Sequence, residues 1–170
     1  MTERRHRELR RVHQDDWELW RDVRLRSLAD APDAFGSTYE REAAFTEDEW
    51  RDRLKHGPRV LVLVEGEPVA LGGGVSHEGE LFVFGMWTDE AHRRRGHADA
   101  VLDVVVAWAR ERDLPVVLHV NTANPGARAA YERYGFVATG HLEELRPGSD
   151  QRIELMRLPE PFTDPAAPPR

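Results

Sequence analysis

The chain of 170 residues contains no cysteine. That excludes disulfides, thiolate metal sites and a covalent intermediate on a cysteine nucleophile. No apolar run approaches the roughly 20 residues that a membrane-spanning helix requires. Positive charge is in deficit: the formal net charge is −7, which argues against a general binder of nucleic acid or of membrane surfaces. Gly72-Gly73-Gly74 is not a phosphate-binding P-loop, because no Gly-Lys-Ser/Thr follows it. A dinucleotide fingerprint, Gly-x-Gly-x-x-Gly straight after a strand, is missing. Ser37 and Ser76 have no nucleophile-elbow context. His92 and His97 flank a turn at five-residue spacing with no third ligand evident, so no metal is expected. Arg4, Arg5, Arg7, Arg10 and Arg11 hint at a transit peptide, but Glu3 and Glu8 interrupt them and serines are lacking. No targeting segment is read, and a cytoplasmic location is expected.

What is present suits one domain with a sizeable core. A short strand at Leu9–Val12 precedes Asp15, read as an N-cap with Glu18 in the capping-box position. Trp17, Trp20, Val23, Leu25 and Leu28 give a broken helical stripe to about Ala29, ended by Pro32. Residues 33–38 read as a loop. Thr46 and Glu49 form a second capping box for a helix running to about Lys55. Val60–Val64, Val69–Val75 and Glu80–Thr88 read as an antiparallel meander. The three glycines inside it hint at a bulge or at backbone pressed against something. Ala98–Arg112 is the clearest helix, with Val101, Leu102, Val105, Trp108 and Ala109 at helical spacing. Leu114–Asn121 is a continuous apolar strand, as in a parallel pairing covered on both faces. Asn124 caps a short helix over Pro125–Tyr134, which Gly135 stops. Strands at Phe136–Thr139 and Ile153–Leu158 follow. The expected domain is 1–158, with a Pro-rich, disordered tail over 159–170. The fold class is α/β, a mixed sheet with helices packed on its faces.

The stretch Phe82–Ala98 organises the rest. An apolar strand enters a turn carrying Arg93, Arg94 and Arg95, then Gly96, His97 and Ala98 open the long helix. First-turn amides lack intrahelical partners and the helix dipole is positive there, so the turn is a candidate anion site. Gly96 and Ala98 let phosphates approach the backbone. A solvated arginine run is the plain alternative.

A second stretch, Leu118–Phe136, decides between them. A strand is followed by Asn124, Ala127, Tyr131 and Gly135-Phe136, a pattern that resembles the second half of the GNAT superfamily of N-acetyltransferases. Arg93, Gly96 and Ala98 resemble that family's cofactor motif, Arg/Gln-x-x-Gly-x-Gly/Ala. The segment Pro32-Asp33-Ala34-Phe35-Gly36-Ser37 resembles one subgroup. The resemblance covers roughly residues 5–158. It implies a central, mostly antiparallel sheet of about six to seven strands with helices on both faces. It also implies acetyl-CoA as cosubstrate, with no metal. The pyrophosphate would lie on Arg93–Ala98, the pantetheine along Met86, Trp87 and Thr88, and Asn124, Ala127 and Tyr131 would complete the cofactor site. Tyr131 would be the acid that protonates the departing thiolate. A fixed N–H near Thr88 would stabilise the oxyanion by a few kcal/mol.

The general base departs from the family pattern, since Phe82 and Phe84 stand where Glu or His is often found. Glu80 shares their face at a spacing of two and is the first candidate. Glu42, His119 or a water are the others. The acceptor is expected to be a primary amine of a small molecule or peptide, held by Phe35, Glu42, Phe84 and Trp87. Glu40, Glu42, Glu143, Glu144 and Asp150 would suit a cationic one. A non-catalytic acyl-CoA-binding module is the alternative that Phe82 and Phe84 favour. The resemblance allows a homodimer, without a sequence feature that fixes the state.

Overall fold

The computed structural model describes residues 6–160. The expected disordered tail and Arg4 and Arg5 therefore fall wholly or largely outside the described residues. Seven strands form one sheet: β1 (Arg7–Arg11), β2 (Arg59–Val64), β3 (Glu67–His77), β4 (Glu80–Thr88), β5 (Val116–Asn121), β6 (Val137–Glu144) and β7 (Arg152–Leu158). Their order is β1-β2-β3-β4-β5-β7-β6. Every neighbouring pair is antiparallel except β4 and β5, which run parallel. The mixed, mostly antiparallel sheet expected from the sequence is what forms.

Helices α1 (Trp17–Asp30), α2 (Tyr39–Ala43), α3 (Glu47–Arg53), α4 (His97–Arg110) and α5 (Pro125–Tyr134) cover it. None is long and apolar enough to cross a membrane. Strand alternation divides the apolar side chains between two cores. Val60, Val62, Leu81, Val83, Leu118 and Met156 pack with Val101, Leu102 and Val105 of α4. Leu61, Leu63 and Leu71 point the other way, onto Trp20 and Leu28 of α1 and Trp50 of α3. All six residues of β2 are buried, as a strand covered on both faces must be.

Some local expectations need correction. Asp15 caps nothing: the carboxylate of Asp16 accepts from the His13 amide at 3.0 Å, before a 3-10 turn that leads into α1. Helix α2 follows the loop expected over residues 33–38; it is five residues long and has no apolar stripe to announce it. Its start is fixed by Thr38, whose Oγ1 accepts from the Arg41 amide. Strand β6 runs five residues past Thr139, through an irregularity between Ala138 and Leu142 where Gly140 has φ +80°. The Thr46–Glu49 capping box is present in both directions, at 3.3 and 2.7 Å.

The three glycines of β3 do lie against close neighbours. A Cβ on Gly72 would collide with the Met86 sulfur and with Val101, and one on Gly73 with the Pro58 carbonyl. Close approach of backbone to neighbouring strands is what their lack of side chains permits.

Candidate active site

The parallel pairing of β4 with β5 is short. It joins Leu81–Val83 to Val116–Leu118 and then stops. Beyond it the two strands part, and among the described residues the β4 edge from Phe84 to Thr88 has no strand beside it. A bulge sits at that point. Gly73 faces Phe84 while Leu71 faces Trp87, so β4 has one residue more than β3 over the interval. Gly85 takes the extra position with φ +69°, a conformation that favours glycine.

The bulge also reverses which side chain faces which core. Leu81 and Val83 face α4, and without the bulge Trp87 would follow them. Instead Met86 packs on the α4 side and Trp87 joins the core under α1. There the indole Nε1 donates to Asp30 at 2.8 Å, with the Arg26 guanidinium 4.9 Å from its ring centre. Trp87 was expected among the residues that hold the acceptor; its indole is buried in the core under α1 and does not line the cavity that Phe84 and Gly85 help to form.

The turn after β4 carries the arginines. Arg94 and Gly96 both have positive φ, +60° and +75°. Among the described residues, none of the amides from Arg94 to Asp99 donates a hydrogen bond. Gly96 sits at the N-cap of α4 with no side-chain cap. A run of free N–H groups at the positive end of a 14-residue helix forms a cradle suited to an anion. Arg94 and Arg95 are exposed beside it. Arg93 turns back, donating from Nε to the Thr88 carbonyl at 3.1 Å. The His97 ring faces inward, 5% exposed, with neither nitrogen partnered. Burial, with Arg7, His92 and Arg95 nearby, holds it below its usual value, so the ring is neutral. Its side chain is thus turned away from the cradle, to which only its amide belongs.

On the far side of the opening, α5 begins with Asn124, whose Oδ1 accepts from the Ala127 amide at 3.0 Å. Asn124 is exposed and Ala127 half-buried. Tyr131 is half-buried, with its ring edge-on to Phe136 at 6.0 Å. Its hydroxyl has no hydrogen-bond partner among the described residues. Burial pushes its pKa up to about 12, so the group stays protonated. The neighbouring Tyr134 instead binds Asp103 of α4 at 2.8 Å, tying α5 to α4.

A cavity of about 350 Å³ opens beneath the splay, on the α1 side. Phe82, Phe84 and Gly85 of β4, His119 of β5 and Phe35 line it. The buried pair Arg24–Glu42 also lines it. Their side chains meet twice, Nε to Oε2 at 2.9 Å and Nη2 to Oε1 at 2.8 Å. Burial alone would raise the Glu42 pKa. The hydrogen bond and charge of Arg24, helped by Ser37 and Arg53, take it below 4.5. Glu42 is therefore an anion already fully engaged, which removes it as a free carboxylate for base work or amine binding. Glu80, the first base candidate, does not line the cavity. It lies at the start of β4, opposite His77, with its carboxylate on Arg157 at 2.7 Å. His119, the remaining side-chain candidate for the base, also lines the cavity. It stacks on Phe82 at 5.8 Å, and burial keeps its pKa below 6.5 despite Glu143 at 3.7 Å.

Arg24 and Arg53 were missed in the sequence. Arg24 had a signal: it stands four residues after Trp20 and four before Leu28, inside the buried stripe of α1. Arg53 had none, being one charge in a polar helix.

The profile of the Acetyltransferase (GNAT) family matches residues 9–136. The chain belongs to that family. It is also 38% identical over 79 residues to "Acetyltransferase Atu2258" of Agrobacterium fabrum, a match spanning 45% of this chain and 57% of that relative's length. Among solved structures, a GNAT-family acetyltransferase from Streptococcus pneumoniae superposes with a TM-score of 0.74 at 16% identity, over 89% of this chain and 98% of the other. Spermidine N-acetyltransferase from Vibrio cholerae, solved with CoA and spermine, gives 0.67 at 18% identity, over 89% and 94%. At such identities these structures speak for the fold. Among the described residues no group of three His, Cys, Asp or Glu side chains is placed to hold a metal ion.

Proposed function

We propose that the protein transfers the acetyl group of acetyl-CoA directly to a primary amine of a small molecule or peptide. The observation that carries this is the opening between β4 and β5, flanked by the free amides of Arg94–Asp99. The edge of β4 from Phe84 to Thr88 offers backbone groups that an extended, amide-bearing chain such as pantetheine can pair with. The diphosphate fits the six free amides, with Arg94 and Arg95 beside it. Asn124 serves α5 as a cap through its oxygen, and its exposed side chain leaves the amide nitrogen available to a ligand.

The amine attacks the thioester carbon, a C–N bond forms, and the C–S bond breaks with its electron pair going to sulfur. Tyr131 gives its proton to that thiolate. His119, neutral and in the cavity, accepts the proton lost by the amine, directly or through one water. This replaces Glu80 in the base role. Acetyl-CoA fits the site and supplies the activated acyl group. An amine acceptor agrees with two solved structures of the same fold, a spermidine N-acetyltransferase and a ribosomal-protein-S18-alanine N-acetyltransferase from Escherichia coli.

A non-catalytic acyl-CoA-binding module is the second reading, favoured by Phe82 and Phe84 on the cavity wall. Free-thiol release from acetyl-CoA over a panel of amines separates the two. Transfer that falls in Tyr131→Phe supports the enzyme. CoA binding without transfer to any amine supports the module.

A further inference from the structure

The charges around the cavity are opposite in sign to the chain as a whole. Its ionised lining groups are Arg24, Arg41 and Arg53 against Glu42 alone, three positive charges and one negative, in a protein of net charge −7. Glu42 is spent on Arg24. Arg41 and Arg53 are exposed at the rim, and neither has a carboxylate within 4.0 Å among the described residues. Arg53 is held in place by stacking, its guanidinium 4.1 Å from the Phe45 ring centre. Deeper in, Arg24 is 5% exposed, and its Nη1 has no hydrogen-bond partner. That nitrogen points at the bulge, 3.2 Å from where a Cβ on Gly85 would lie. A buried guanidinium N–H without an acceptor is costly unless something completes it. Behind Phe84 lies a further buried arginine, Arg59, 4.6 Å from that ring, and the charges of Arg53 and Arg24 help burial to bring its pKa down to about 10. The local field is thus positive enough to weaken another cation's hold on its proton. The other titratable group on the wall, His119, is neutral, and Glu143 beside it does not line the cavity.

We infer that the acceptor is an amine that also carries a carboxylate, such as an amino acid, with the carboxylate held by Arg53 and Arg41 and the apolar part against Phe35, Phe82 and Phe84. This rests on the acetyltransferase reading of the same site. It reverses the expectation of a cationic amine drawn from the acidic residues. Glu42 is paired, Glu144 holds Arg152 and the Gly148 amide, and Glu40 and Asp150 do not line the cavity. A polyamine brings positive charge to a positive wall, whereas a carboxylate finds planar, bidentate partners.

The test uses matched sets: L-amino acids, their carboxamides and the corresponding decarboxylated amines, with spermidine as the cationic control, each scored by thiol release from acetyl-CoA. The expected result is a kcat/KM at least about tenfold higher for the carboxylate form, the size of one charge-assisted contact. In Arg53→Gln and Arg41→Gln, both exposed positions, that ratio falls toward one through KM. Equal or better turnover of carboxamides or spermidine overturns the inference and leaves the acetyltransferase reading standing. If no amine releases thiol, the acetyltransferase reading is what fails. Calorimetry on the CoA-loaded protein then decides the inference separately. Binding of N-acetyl-L-phenylalanine that weakens about tenfold in Arg53→Gln upholds it. Binding no tighter than that of N-acetyl-L-phenylalaninamide overturns it.

Discussion

Arg24 and Glu42 form a two-pronged ion pair that is closed to water, at 5% and 4% exposure, between α1 and α2. It anchors α2 to the wall of the cavity and leaves the third guanidinium nitrogen facing Gly85. Removing one partner strands the other as a buried, unpaired charge, which costs about 3–5 kcal/mol. Arg24→Met is therefore expected to lose stability on that scale. The double variant Arg24→Met/Glu42→Leu should recover most of it. Urea denaturation of the three proteins checks this. The folded pKa of Glu42 is lowered, so the stability it contributes is present above 4.5 and lost as pH falls through its folded value.

Gly85→Ala is expected to damage the site more than the fold. A left-handed conformation costs a non-glycine residue about 1–2 kcal/mol. The new methyl would also press on Arg24 Nη1, 3.2 Å away. Thermal unfolding should shift modestly, while kcat/KM for the best amine falls by up to about 10²-fold, the effect of a 1 Å misplacement in a positioned site.

His97 makes a pH prediction. Its folded pKa lies below 6.5 and the unfolded chain takes up a proton first, so stability falls as pH drops below about 6.5. Since neither ring nitrogen has a partner, His97→Leu orphans nothing. It should keep wild-type stability at pH 8 and flatten the loss between pH 6.5 and 5. Melting curves across that range test it; a large loss at pH 8 would show that the imidazole has a partner.

His119 predicts the acid limb of the rate profile. Burial lowers its pKa, so the neutral, proton-accepting form dominates at pH 7 and is lost only below 6.5. His119→Gln should lower kcat by about 10²-fold, the range of a general base, and remove that limb. A profile unchanged in shape would assign the proton to water alone.

Much of this was legible in the sequence, and the reasons differ by element. Helix α4 was readable from apolar side chains at a fixed spacing after Gly96, and α5 from Asn124 and Gly135 at its two ends. The turn Arg93–Ala98 was readable because free amides at a helix start depend on backbone, not on partners. The strand splay was not, because where β4 and β5 part is decided by a bulge whose only sign is one glycine among apolar neighbours. That bulge moved Trp87 to the opposite face, which strict alternation could not foresee. The pairing of Glu42 with Arg24 was hidden for another reason: the two lie on different helices, and a carboxylate's partner is a tertiary fact. Glu80 went astray the same way, through Arg157 on β7.

The most direct test supplies acetyl-CoA carrying a ¹³C acetyl group with the preferred amine and follows both products by mass spectrometry and thiol release. The expected result is one labelled acetyl on the amine nitrogen for each thiol released. In Tyr131→Phe, kcat should fall about 10²-fold, the scale of a lost general acid, with CoA affinity unchanged by calorimetry. CoA bound with no label transferred to any amine, or thiol release matched by free labelled acetate, would contradict direct acetyl transfer.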